Sequence, residues 1–256
     1  MLTEIQKELA RLEAQHDIKI TYAVESGSRA WGFASTDSDW DVRYIYIHKR
    51  EWYLQIDDLK DNQEEILPND IDLAGWELRK ALRLFRKANP PLFEWLLSPI
   101  VYAERFSTAR KMRGLMREFF NPVTCVYHYM HMASGNYKAY LAKDMVKVKK
   151  YFYALRPVLA CDWIRETGTM APMEFQTLVD GMIRDPELKR QILDLLARKM
   201  AGEELNEEPR IEIINEFLAG KIAFYDEYVK TAKPNPPPNT GLLNTLFRET
   251  LDEAWQ

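Results

Sequence analysis

The sequence predicts an α+β protein in which a small mixed β-sheet with flanking helices is followed by a helical C-terminal region. Two observations carry this prediction. Short apolar segments bounded by turn residues, which are typical of strands, occur in the first third of the chain. From about Phe106 onward, apolar residues recur almost throughout at the spacing of helices. A chain of 256 residues with 46% hydrophobic content is long enough for one large or two modest domains.

The N-terminal part combines one amphipathic helix with three strand candidates. Leu2, Ile5, Leu9 and Leu12 recur at helical spacing and predict a helix over residues 1–16. The predicted strands are 18–24, 41–48 and a short one around 70–73. The polar, turn-rich residues 57–69 favour a loop or a hairpin excursion, and a strongly patterned segment predicts a helix over 74–88.

Prolines mark the ends of several predicted helices. Asn89 and the Pro90-Pro91 pair close the helix over 74–88, and a second short helix over 92–97 stops at Pro99. The C-terminal helix candidates are 107–118, 122–142, 144–166, 172–181, 186–200 and 209–230. Residues 233–239 predict a stiff Pro-rich linker before a last helix over 242–255. The predicted domains are 1–105, 106–232, and the linker and helix of 233–256.

Composition limits the functional classes. A net charge of −4 gives no global signal for nucleic-acid binding, so any site for a polyanion must be a local patch. Cys125 and Cys161 lie far apart and form no CxxC pair, and the N-terminus carries no secretory signal. We therefore expect a reduced, cytoplasmic protein. No apolar run approaches the roughly 18 residues of a membrane span, so no membrane association is expected.

Residues 25–46 (ESGSRAWGFASTDSDWDVRYIY) contain the strongest candidate for a chemical site. Asp39 and Asp41 stand two residues apart beside a predicted strand, a spacing that turns both carboxylates to one side. Hard divalent cations prefer such oxygen ligands, which favours Mg²⁺ or Mn²⁺. The small Gly27-Ser28 turn lets backbone N–H groups approach a phosphate. These parts suit metal-dependent phosphoryl or nucleotidyl transfer; the alternative is a turn cap at Ser38-Asp39 and a solvated Asp41.

A Gly-Ser, a spacer of roughly ten residues and an Asp-x-Asp resemble the signature of the DNA polymerase beta-like nucleotidyltransferase superfamily. Within it, residues 27–33 (GSRAWGF) and 38–43 (SDWDVR) are similar to the bacterial and phage nucleotidyltransferases associated with RNA ligases. The resemblance continues through residues 71–73, 89–96 and 149–157, so it covers at least the first 165 residues.

The resemblance implies a third carboxylate on a neighbouring strand, which helps to activate the attacking hydroxyl. Asp72, between Ile71 and Leu73, has the matching apolar-acid-apolar pattern and would join Asp39 and Asp41 as a catalytic residue and metal ligand. Asp70 is the alternative, but it follows Asn69 and resembles the end of a turn. Arg29 is expected either to contact phosphate or to pair with Glu25 or Asp37.

A second informative segment, residues 136–156, carries six basic residues against a single acid. In families that this chain resembles, a helix after the sheet domain supplies cations to the nucleoside triphosphate. The resemblance therefore favours Lys149, Lys150 and Arg156 as phosphate-binding residues, with Tyr153 stacking or hydrogen bonding in the same cleft. The alternative is a solvated charged face.

The Cys125-x-x-His128-x-x-His131 spacing invites comparison with a metal site. A structural zinc site needs four ligands, and the only other histidines are His16 and His48. The surrounding tyrosines and methionines favour a packed aromatic helix instead.

The sequence thus predicts a nucleotidyltransferase that moves an NMP from Mg-NTP, with ATP favoured, to a hydroxyl acceptor. An RNA end is the first expectation for the acceptor, because similar proteins are associated with RNA ligases. A protein adenylyltransferase acting on tyrosine hydroxyls is the alternative enzyme. A non-catalytic nucleotide or RNA sensor is the alternative from another class, and a purely structural partner-binding protein is a third. The sequence carries no prediction of the oligomeric state.

Overall fold

The computed structural model describes residues 1–203, 206–233, 235–236 and 238–256. Two of the residues in the predicted Pro-rich linker, Pro234 and Pro237, lie outside the described residues. The chain forms two compact units. The first consists of Met1–Ala30, Ser38–Phe119 and Pro237–Gln256, and the second consists of Trp31–Asp37 and Phe120–Pro236.

A five-stranded mixed sheet forms the centre of the first unit, in the order β3-β4-β2-β1-β5. Its strands are β1 (Lys19–Glu25), β2 (Trp40–Ile47), β3 (Asn62–Ile66), β4 (Ile71–Glu77) and β5 (Val101–Glu104). β2 and β4 run parallel, whereas the other neighbouring pairs are antiparallel. The predicted α+β fold with a small mixed sheet is confirmed.

The helices of the first unit cover and flank this sheet. They are α1 (Leu2–His16), α2 (Gly27–Ala30), α3 (Leu78–Arg86), α4 (Pro90–Leu97), α5 (Thr108–Phe119) and α11 (Gly241–Trp255). On α1, the buried Ile5, Leu9 and Leu12 form the apolar stripe that the sequence predicted. They belong to one core cluster with side chains of β1, β2 and β4, including Ile20 and Val42.

The second unit is mainly helical. Its helices are α6 (Pro122–Asn136), α7 (Lys150–Thr167), α8 (Phe175–Met182), α9 (Pro186–Met200) and α10 (Glu212–Thr231), with a π-helical turn at Tyr137–Leu141. A short antiparallel pair joins β6 (Met145–Lys147) to β7 (Glu207–Pro209). Among the helices that the structure describes, none combines the length and apolar character that crossing a bilayer requires.

Four of the described strands, β3, β5, β6 and β7, have no counterpart among the predicted strands, although a hairpin excursion was one alternative for the segment that contains β3. β3 occupies the polar segment 57–69, β5 follows Pro99, and β6 replaces the start of the helix predicted over 144–166. β3 has half-exposed polar residues without an apolar alternation, and only its pairing with β4 defines it as a strand. β6 has three residues and pairs with a strand about 60 residues away. Such long-range pairing leaves little local signal in the sequence.

Two predicted helix boundaries were wrong for local reasons. β4 extends to Glu77, whose side chain accepts hydrogen bonds from the N–H groups of Arg79 and Lys80, so the helix predicted over 74–88 begins only at Leu78. The preceding helix ends before the Pro90-Pro91 pair, as predicted, but the pair also forms the first turn of α4 behind the N-cap Asn89, so this helix begins at residue 90 and not at 92. Proline is accepted there because the first turn needs no N–H donor.

We expect Gly75→Ala to destabilise the sheet. A Cβ at Gly75 would lie 2.1 Å from the Tyr44 ring, which crosses this residue from β2. Relieving that overlap should lower the free energy of unfolding by about 1–3 kcal/mol. The matched control is Gly220→Ala in α10, where the added methyl meets open space and should raise stability by up to about 1 kcal/mol. Urea unfolding of both variants measures the difference, and equal effects would contradict the close packing at Gly75.

Candidate active site

The candidate site lies where β1 ends beside the start of β2. Glu25, the last residue of β1, is fully buried there. Its Oε1 accepts a hydrogen bond from the N–H of Asp41 at 2.9 Å, and its Oε2 accepts one from the Tyr102 hydroxyl. The Ser98 hydroxyl donates to the Glu25 carbonyl at 2.6 Å, and the next N–H, that of Ser26, donates to the Asp41 carbonyl at 2.8 Å. This network holds the end of β1 against the start of β2.

The turn after Glu25 depends on Gly27. Its φ of +61° lies in the left-handed region that favours glycine. A Cβ at this position would lie 2.0 Å from Oδ2 of Asp41, so the carboxylate occupies the space that any side chain at residue 27 would fill. Gly27 and Ser28 open the short helix α2 directly beside Asp41. The sequence-predicted Gly-Ser turn and the second aspartate of Asp-x-Asp therefore meet.

The parallel pairing of β2 with β4 brings Asp41 and Asp72 together, because these two residues are register partners. Arg43, two residues along the same face of β2, bridges them: its Nη2 lies 2.9 Å from Asp41 Oδ1 and 2.8 Å from Asp72 Oδ2. The guanidinium also donates from Nη1 to the Asp72 carbonyl at 2.9 Å. With side chains 28% and 34% exposed, Asp41 and Asp72 remain accessible at the surface of the unit.

Asp39 lies just before β2, in an exposed loop that Arg29 anchors. The Arg29 guanidinium donates to the carbonyls of Ser38, at 2.6 Å, and Asp39, at 3.1 Å. It also stacks 3.6 Å above the centre of the Trp40 ring. Arg29 was expected to contact phosphate or to pair with Glu25 or Asp37. In the structure its guanidinium donates to these main-chain carbonyls. The hydrogen bonds to two carbonyls shape the loop that presents Asp39.

Asp70 differs from Asp72 in its local structure. It has a φ of +59°, lies in the turn before β4, and uses its carbonyl to accept the N–H of Trp40 at 2.8 Å. Asp72 instead occupies a strand position between the buried Ile71 and Leu73. The turn-end position predicted for Asp70 and the strand position predicted for Asp72 agree with the structure.

Burial shapes the charges of this edge. It raises the pKa of Asp41, and the neighbouring carboxylates of Asp72 and Asp39 raise it further, while the Arg43 guanidinium lowers it. Burial also raises the pKa of Glu25 to about 7, against the hydrogen bonds from Tyr102 and the Asp41 N–H, which lower it. Burial and the neighbouring acids thus oppose ionisation here, and Arg43, in direct contact with Asp41 and Asp72, is the cation that favours it.

The donor chemistry of this edge fits a hard divalent cation. Asp41 and Asp72 each keep one carboxylate oxygen that Arg43 does not contact, and Asp39 is exposed nearby. Across the described ranges, no three His, Cys, Asp or Glu side chains already converge as a metal cluster. A cation held by Asp39, Asp41 and Asp72 would therefore share the carboxylates with Arg43.

The other four predicted nucleotide-binding residues belong to the second unit. Lys149 is exposed just before α7, and the Lys150 ammonium lies 4.7 Å from the ring centres of both Tyr140 and Tyr153. Arg156 is only 2% exposed, with its guanidinium 4.6 Å from the centre of the Trp31 ring. Lys150, Tyr153 and Arg156 thus belong to a basic and aromatic cluster on α7, Lys149 precedes the helix, and the nucleotide-binding role of all four stays a prediction.

Phe33, which follows the Gly-Ser turn in the sequence, packs inside the second unit. Its ring lies 5.0 Å from Phe152 and 5.5 Å from Phe175, and it is buried. Trp31 contacts Phe33 and Tyr153, at 5.8 and 6.2 Å between ring centres. The apolar residues between the Gly-Ser and Asp-x-Asp segments thus contribute to a packed aromatic cluster.

Sequence reasoning missed the supporting role of Glu25, Tyr102 and Ser98. One signal was present: Glu25 is an acid directly at the end of an apolar strand, where burial without a partner is unfavourable. Tyr102 and Ser98 carry no comparable signal, because they are about 75 residues away along the chain and meet Glu25 only through the pairing of β1 with β5.

A family model described as the RNA repair pathway DNA polymerase beta family (RlaP) matches residues 1–249. The chain belongs to this family. The resemblance predicted from the Gly-Ser and Asp-x-Asp segments is therefore confirmed, and this RlaP-family member is nucleotidyltransferase-like.

Two further proteins are similar to this RlaP-family chain. It is 50% identical over 256 residues to the uncharacterised protein YcgL of Bacillus subtilis (strain 168), covering 100% of this chain and 98% of the relative. The chain is also similar to a nucleotidyltransferase-like protein from Exiguobacterium sibiricum 255-15, whose crystal structure is known. The two sequences are 13% identical, the TM-score is 0.32, and the superposition covers 97% of this chain and 88% of the other.

We expect Gly27→Ala to destabilise the protein more than Gly168→Ala does. Both glycines have a φ above +60°, so either alanine should cost about 1–2 kcal/mol in the left-handed region. Only the methyl at residue 27 also collides with the Asp41 carboxylate, whereas the one at Gly168, which ends α7, meets open space. Urea unfolding should show at least about 1 kcal/mol of additional loss for Gly27→Ala. Equal losses would contradict the contact between Gly27 and Asp41.

Proposed function

We propose that this protein is a metal-dependent nucleotidyltransferase that moves an NMP from Mg-NTP to the hydroxyl of an RNA end in RNA processing or repair, releasing pyrophosphate. The observation that carries the proposal is the register pairing of Asp41 with Asp72 beside Gly27. It joins two carboxylates and a small-residue turn at one sheet edge, in a chain of the RNA repair pathway DNA polymerase beta family.

The residues of this edge have distinct proposed roles. Asp39, Asp41 and Asp72 hold the cation, which when bound as Mg²⁺ or Mn²⁺ neutralises the triphosphate and favours in-line transfer. Gly27 and Ser28 approach the phosphates with their backbone N–H groups. Asp72 additionally helps to activate the attacking hydroxyl, which makes its contribution largest in the transition state.

Arg43 and Glu25 position the carboxylates without contacting the reacting groups in this proposal. Arg43 offsets the repulsion between Asp41 and Asp72, and Glu25 fixes the main chain of Asp41 through the hydrogen bond to its N–H. Lys149, Lys150 and Arg156 would supply positive charge to the triphosphate, and Tyr153 would stack or hydrogen bond beside them. ATP is the favoured donor.

Changes at the carboxylates test the transfer reaction. We expect Asp41→Asn to lower turnover about a hundredfold or more, since the lost charge stabilisation is worth about 3 kcal/mol or more. Asp72→Asn should retain Mg-NTP binding but transfer poorly, and Asp70→Asn in the preceding turn is the matched control that should stay mostly active. The assay incubates each radiolabelled NTP and Mg²⁺ or Mn²⁺ with RNA and, separately, with total protein.

Each outcome of that assay discriminates between functions. Label transferred to RNA supports the proposal, whereas label transferred only to protein tyrosines would assign the protein to the adenylyltransferases. Binding of NTP without turnover in any mixture would favour a nucleotide sensor. Turnover near the wild-type level in Asp41→Asn would overturn the assignment of the metal site.

The basic cluster is tested through nucleotide affinity. If Lys150 contacts the triphosphate, Lys150→Ala should weaken NTP binding roughly tenfold and make it less sensitive to salt. Lys7→Ala, which removes an exposed lysine of α1, is the charge-matched control. Unchanged dissociation constants for alanine variants of Lys149, Lys150 and Arg156 would identify this segment as a solvated and packed face.

A further inference from the structure

We propose that a groove between α3 and α11 binds the phosphodiester backbone of single-stranded RNA. This inference rests on the proposed function, because it gives the RNA acceptor a binding surface. The groove is entirely within the first unit and encloses about 300 Å³. Its lining residues come from α3 and from the start of the C-terminal segment: Arg79, Leu82, Arg83, Arg86, Thr240, Leu243, Asn244 and Phe247.

Three arginines give the groove its charge. Arg79, Arg83 and Arg86 follow one another at i, i+4 and i+7, so they form one stripe along α3. The lining includes no Asp or Glu. Within the part of the chain that the structure describes, Arg83 and Arg86 form no ion pair with a carboxylate, although the protein carries 39 acidic residues and a net charge of −4.

Arg79 lies close to two aromatic rings and to the buried carboxylate of Glu77. Its guanidinium lies 5.4 Å from the ring centre of Tyr53 and 6.0 Å from that of Trp52. The Tyr53 ring in turn packs edge-on against Phe247, which lines the groove. Cation–π contacts position a guanidinium without neutralising its charge. Because Glu77 partly offsets the charge of Arg79, the case for anion binding rests mainly on Arg83 and Arg86.

The chemistry and length of the stripe favour a nucleic-acid backbone. Guanidinium groups bind phosphate oxygens through paired N–H donors. Seven residues of helix span about 10 Å, which is longer than one phosphate group. Thr240 and Asn244 add a hydroxyl and an amide that can hydrogen bond to phosphate or ribose. Leu82 and Leu243 are buried in the floor, whereas a membrane-binding surface requires protruding apolar side chains.

Strand β4 connects the groove to the sheet edge that carries Asp72. Asp72 is the second residue of β4, and α3 begins directly after the strand ends at Glu77. Arg79 is seven residues beyond Asp72, and the strand from Asp72 to Glu77 covers about 17 Å of that separation. RNA whose end lies near Asp72 would reach the stripe with nucleotides several positions from the reacting hydroxyl. A dinucleotide would be too short to use the groove.

Anisotropy of a labelled single-stranded RNA, measured with the full-length protein in the absence of NTP and divalent cations, tests the groove independently of catalysis. We expect Arg83→Glu to raise the dissociation constant at least tenfold and to reduce the salt dependence of binding. Lys87→Glu is the matched control, because it makes the same charge change at the exposed C-cap of α3, outside the groove. It should change the constant by less than about twofold.

A second variant, Arg86→Gln, removes charge without adding an acid and should weaken binding about fivefold, while thermal melting verifies that each variant is folded. Wild-type binding that neither Arg83→Glu nor Arg86→Gln weakens would overturn the groove and leave the transfer reaction unaffected. Equal losses in Arg83→Glu and Lys87→Glu would also overturn it, since net charge alone would explain them. No RNA binding by the wild type would instead contradict RNA as the acceptor.

Discussion

The ion pairs of Arg43 with Asp41 and Asp72 are the interaction on which the site depends. Two carboxylates on register partners of adjacent strands repel each other, and partial burial strengthens that repulsion. A guanidinium is well suited to offset it, because it offers several donors in one plane and stays charged. The same pair of carboxylates can then serve a hard cation, which would offset the same repulsion with a higher charge. The stability of this part of the sheet therefore depends on the same pair of carboxylates as the proposed metal site.

The parts of the site that could be predicted from the sequence are local. Gly27-Ser28, Asp39 and Asp41 are close in the chain, and their residue types indicate a turn and a pair of ligands. Asp72 could be separated from Asp70 because a strand position and a turn position leave different patterns in the sequence, and the structure shows the same difference. The central strands and the amphipathic α1 were predictable for the same reason, since their apolar spacing is strong.

The parts that could not be predicted depend on pairing across long separations. β3, β5 and β6 are short or polar, so their neighbours in the sheets define them more than their own sequences do. The hydrogen bonds of Glu25 with Asp41 and Tyr102 join three separate segments. The groove of Arg79, Arg83 and Arg86 was equally hidden, because three arginines on a helix usually indicate a solvated face. The three arginines line a groove only because α11 packs against α3.

The parallel pairing of β2 with β4 has a consequence for how the protein folds. β3 and β4 are joined by a short turn and can form a hairpin early, but the partners Asp41 and Asp72 are 31 residues apart in the sequence. Closing such a loop has an entropic cost that local contacts do not repay. The docking of β4 also brings two negative charges together at the moment when the loop closes. Arg43 is already beside Asp41 on β2 when β4 docks, so a positive charge is in place to offset the approach of Asp72. The contribution of Arg43 should therefore affect the rate of folding as well as the stability of the folded sheet.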